Sequence, residues 1–141
     1  MDADDPRLAA IKANVDFATA EFGELTDDPF GLDKASVAWV EGYIERMRSR
    51  MTEPPAGGLV AVLGSYLGQA IIAASDGQWD EDPAQGIGIK FASGDWCFPF
   101  AKVEKQFAEG LDGGESILGF YKVAVDYVAK GKLRNSDDAA E

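Results

Sequence analysis

The chain has 141 residues, 46% of them hydrophobic and 11% aromatic, which suits one globular domain and excludes wholesale disorder. It carries 25 acidic residues against 13 basic, a formal charge of −12, so its surface repels phosphate backbones and direct nucleic-acid binding is not expected. Histidine is absent, which removes Ser-His-Asp and Cys-His catalysis and any His-ligated zinc or iron site.

The one cysteine, Cys97, can form no internal disulfide and points to a reducing, cytoplasmic setting. The acidic start, Met-Asp-Ala-Asp-Asp-Pro, lacks the basic region and apolar run of a secretory signal. The acidity serves solubility first; its sharper reading is an encounter with a basic protein.

An amphipathic helix is expected from about Pro6 to Phe22, with Asp5 as cap and Leu8, Ile11, Val15, Ala18 and Phe22 as its buried stripe. Gly23 can end it, and residues 27–31 form a connector. A second helix follows from the cap Asp33 to about Arg50, burying Val37, Val40, Ile44, Met47 and Met51. Arg46, Arg48 and Arg50 complement its dipole near the end. Residues 56–75 contain no charge, and a membrane span of ~20 residues is the alternative to weigh. Gly57, Gly58, Gly64, Gly68, Ser65, Tyr66 and Gln69 favour a central helix surrounded by the others. Gly64 and Gly68 would let a neighbouring element approach its backbone closely.

After Gly77 the period changes to two. A short strand is expected over 78–82, a second over 86–92 with Ile87, Ile89 and Phe91 on one face, and a return strand bearing Trp96, Phe98 and Phe100. Pro99 marks an edge or an end. A helix over about 101–109 and another over about 116–130, burying Ile117, Tyr121, Ala124 or Val125, and Val128 with Gly131 as cap, complete an α+β fold. That fold has three N-terminal helices, an antiparallel sheet of two or three strands and two C-terminal helices on the sheet's apolar face. One domain spans 1–134, and 135–141 read as a disordered acidic tail.

From Leu32 onward, the Trp39 helix, Leu63-Gly64-Ser65-Tyr66-Leu67-Gly68, Gly77-Gln78-Trp79 and the hairpin ending Phe98-Pro99-Phe100 follow one another in a distinctive order. The chain thereby resembles an uncharacterised family of small bacterial domains. The resemblance implies the α+β fold and carries no activity to transfer.

No residue pattern marks a catalytic site, a cofactor or a metal. Cys97 lacks the histidine that would activate it and is expected to pack. Asp76, Asp80, Glu81 and Asp82 invite a calcium loop, but Ala84, Gln85 and Phe91 stand where ligands and the loop glycine belong. Gly86-x-Gly88 has no phosphate-loop spacing. Tyr66, Gln69 and Trp79 are polar residues on elements otherwise devoted to burial, and could line a pocket between the central helix and the sheet. With Asp80 and Asp82 they form the candidate binding set. The first-ranked function is a non-catalytic interaction module, immunity-like or regulatory, against a basic protein. The second is a small enzyme using carboxylate or lysine groups near Tyr66, Gln69 and Trp79.

Overall fold

A computed structural model describes residues 1–130; the cap Gly131 and the tail 135–141 lie outside the described residues. Five helices and a three-stranded antiparallel sheet make an α+β fold: α1 (Pro6–Leu25), α2 (Lys34–Arg50), α3 (Gly57–Ala73), β1 (Gln78–Asp82), β2 (Gly86–Lys90), β3 (Trp96–Cys97), α4 (Pro99–Glu109) and α5 (Ile117–Val123). A 3-10 turn at Leu111–Gly113 joins α4 to α5, and a π-helical turn at Ala124–Val128 follows α5.

The caps explain where the helices start. Asp5 accepts from the Arg7 amide at 2.9 Å, with Pro6 in the first turn, and Asp33 accepts from the Ser36 amide at 2.8 Å. α1 runs past Gly23 to Leu25, because an exposed glycine within a helix costs only about 1 kcal/mol. α3 has no side-chain cap; packing holds it. It lies between α1 and α4, and Leu63, Tyr66, Leu67, Ala70 and Ile71 are fully buried.

Gly64 and Gly68 receive aromatic rings rather than a neighbouring backbone. A Cβ on Gly64 would sit 2.3 Å from the Phe100 ring, and one on Gly68 2.0 Å from the Trp79 indole.

The sheet order is β1-β2-β3, with Trp79 opposite Ile89, Asp80 opposite Gly88, Ile89 opposite Cys97 and Lys90 opposite Trp96. Cross-strand partners share a face. Trp79, Ile89 and Cys97 therefore face the helices, and Ile89 and Cys97 join the core with Phe91. Trp96 and Phe98, expected on an apolar face under the C-terminal helices, lie half-buried on the opposite, outer face. The cause is local: β3 pairs over two residues, and α4 begins at Pro99, two residues before the expected Ala101. Phe100 is thus helical and points at Gly64.

The last expected helix is two elements. Ser116 caps α5 by accepting from the Gly119 amide at 2.9 Å, and the Ala129 amide reaches back to the Ala124 carbonyl at 2.9 Å in the π turn. Ile117, Tyr121 and Ala124 are buried.

Candidate functional site

The candidate residues divide into three environments. Tyr66 is wholly buried, and its hydroxyl donates to the Gly31 carbonyl at 2.6 Å. Burial, reinforced by the nearby Asp33 charge, pushes its phenol well above the ordinary range, so it remains a protonated donor. It ties the α1–α2 connector to α3.

Gln69 and Trp79 do meet at a cavity. The Trp79 indole N–H donates to Gln69 Oε1 at 3.3 Å, and its ring lies 5.7 Å from that of Phe100. Both side chains line a groove of about 420 Å³ against α1, where Ile11, Val15 and Leu32 supply apolar wall and Lys12 and Asp16 supply charge. The groove offers hydrogen bonding and weak ion contacts.

Asp80 and Asp82 belong to the outer face of the sheet. Asp80 accepts from the Met1 amino group and from the Glu81 amide, which hold its carboxyl below the usual range. Asp82 accepts from the Ala84 amide at 2.9 Å and so shapes the β1–β2 turn. On the same face Trp96 and Phe98 stack at 5.9 Å with an interplanar angle of 5°, and the Lys90 ammonium lies 5.9 Å from the Trp96 ring centre. Asp76, Gln78, Asp80 and Lys90 line a concavity of about 240 Å³ there. The aromatics on this face are Trp96, in the row of Gln78 and Lys90, and Phe98, whose ring lies over Gly88 in the row of Asp80, while Trp79 points the other way.

A partly buried polar network, centred on the buried Gln106, went unseen in the sequence. Glu41 accepts from the Ser116 hydroxyl and the Leu118 amide; Glu45 accepts from Gln106 Nε2, the Leu111 amide and Arg48. Gln106, fully buried, also accepts from the Ile117 amide at 2.7 Å. The α2 carboxylates thus serve the amides that open α5 and the 3-10 turn. Lys102 and Glu115 form a further ion pair beside it.

Arg46 lies 5.4 Å from the Trp39 ring centre, whereas Arg48 donates to the Phe107 carbonyl at 3.0 Å. Arg46 and Arg48 thus have contacts of their own beside any dipole effect. Every buried side-chain nitrogen and oxygen among the described residues has a hydrogen-bond partner, and no group of three Asp, Glu or Cys side chains among them is placed to hold a metal ion. None of the described helices is long and apolar enough to cross a membrane. No family model, no curated protein and no solved structure matches the chain.

Proposed function

We propose that the chain is a non-catalytic binding module for a basic protein, and that the outer face of the sheet is its contact surface. The observation that carries this is the pairing, on one face, of a stacked Trp96–Phe98 unit with Asp76, Asp80 and Asp82. Half-buried aromatics supply contact area at low entropy cost, and surrounding carboxylates speed the approach of a cationic partner. The formal charge of −12 acts in the same direction at longer range.

The test is association kinetics with a captured basic protein at rising salt. Asp80→Asn with Asp82→Asn should slow association several-fold and flatten its salt dependence. Trp96→Ala should instead speed dissociation. Glu21→Gln with Glu24→Gln, on exposed α1 positions, serves as the control. A partner indifferent to salt and to all three sheet substitutions would refute this reading. Trp79→Ala would lose the Gly68 and Gln69 contacts and so tests packing before binding.

A further inference from the structure

A pocket lies away from the sheet, where the end of α2, the segment before α3 and the outer side of α4 meet. Its volume is about 460 Å³, within the roughly 300–1,000 Å³ of small-molecule sites. Met51, Pro55 and Phe107 give it an apolar floor, and Glu53 and Glu104, both exposed, stand on its rim from different segments. Arg48 forms one wall, yet its charge is committed. Nε donates to the Phe107 carbonyl at 3.0 Å and Nη1 lies 3.3 Å from Glu45 Oε1. Gly110, at φ 68°, closes over the guanidinium so tightly that a Cβ there would be 1.9 Å from Nη1. Glu53 and Glu104 make no ion pair among the described residues.

We propose that this pocket binds a small organic cation: an ammonium or guanidinium group carried on an apolar stem or ring. The stem replaces water on Met51, Pro55 and Phe107, and the charge rests between Glu53 and Glu104. An anion would have to pass both carboxylates and compete with Glu45 for Arg48. The site is independent of any protein contact on the sheet.

Phenethylammonium is the probe, with phenethyl alcohol and phenylacetate as neutral and anionic counterparts of the same shape. Titrated into the full isotope-labelled chain, the cation should shift the amides of Met51, Thr52, Glu53, Glu104 and Ala108 saturably and bind tighter than either counterpart. Glu53→Gln and Glu104→Gln should each weaken it by roughly 2- to 5-fold, the range of exposed ion pairs. Ala108→Trp, which fills the cavity from an exposed position, should abolish binding while the remaining spectrum stays native. Equal or tighter binding of phenylacetate would assign the pocket to Arg48 and overturn the proposal. Equal binding of the alcohol, shifts centred elsewhere, or no saturable shift would overturn it too.

Discussion

Gly58 and Gly68 lie in the same helix but have opposite surroundings. Nothing stands within 4 Å of a Cβ at Gly58, so Gly58→Ala should stabilise by up to about 1 kcal/mol through helix propensity. At Gly68 the added methyl would meet the Trp79 indole, which Gln69 and Phe100 hold in place. Overpacking there should outweigh the propensity gain and leave a net loss of roughly 1–2 kcal/mol. Urea titration of the two variants checks the contrast; equal stabilisation would mean that the indole yields freely. Cys97 offers a pH prediction. Burial pushes its thiol from 9.0 up to about 12, so thiolate is scarce at neutral pH and thiol reagents should react slowly until the protein unfolds. Because the folded value is raised, the stability from the neutral thiol is complete below about pH 9 and is lost as pH climbs toward 12. Thermal midpoints measured from pH 8 upward should fall less steeply in Cys97→Ala than in the parent. The buried Tyr66 phenol, also raised, should leave a residual alkaline slope in both.

Among the elements, α5 depends most on distant help. Gln106→Leu would strip the Ile117 amide of its acceptor inside the core and the half-buried Glu45 of a donor. A loss of roughly 1–3 kcal/mol is expected in chemical denaturation, with α5 amides becoming exposed to exchange first. A change below a few tenths would mean that water replaces Gln106 at no cost. This network was illegible in the sequence because its bonds join residues 61 and 75 positions apart, as in Glu45–Gln106 and Glu41–Ser116. Stripes of buried residues are local, which is why the spacing of Ile11, Val15, Ala18 and Phe22 gave α1, and Val37, Val40 and Ile44 gave α2. Alternation needs several paired residues to carry weight. β3 has two, and reading its pattern onward through Phe100 put Trp96 and Phe98 on the wrong face. The candidate site was half legible for a related reason. Gln69 and Trp79 lie ten residues apart on adjoining elements and do meet, whereas the direction of Tyr66 depended on a carbonyl in the α1–α2 connector.

At the scale of the molecule, the central helix is free of charge. α3 holds none of the acidic or basic residues, and the net charge of −12 is carried by the rest of the chain. α1 and α4 flank the helix on two sides, while rings from β1 and α4 fill the gaps at its two glycines. Leu63→Asp should therefore prevent folding altogether, since it would put a carboxylate at a fully buried position of the hydrophobic core. The same enclosure has a kinetic signature. Backbone protons over the buried part of α3 can reach solvent only when both flanking helices have parted from it, so their deuterium uptake should report the free energy of complete unfolding. The two-residue β3 should exchange by a far cheaper local opening. In a time course of uptake, the label would enter at the short strand and the helix starts and arrive last along residues 63–71 of α3.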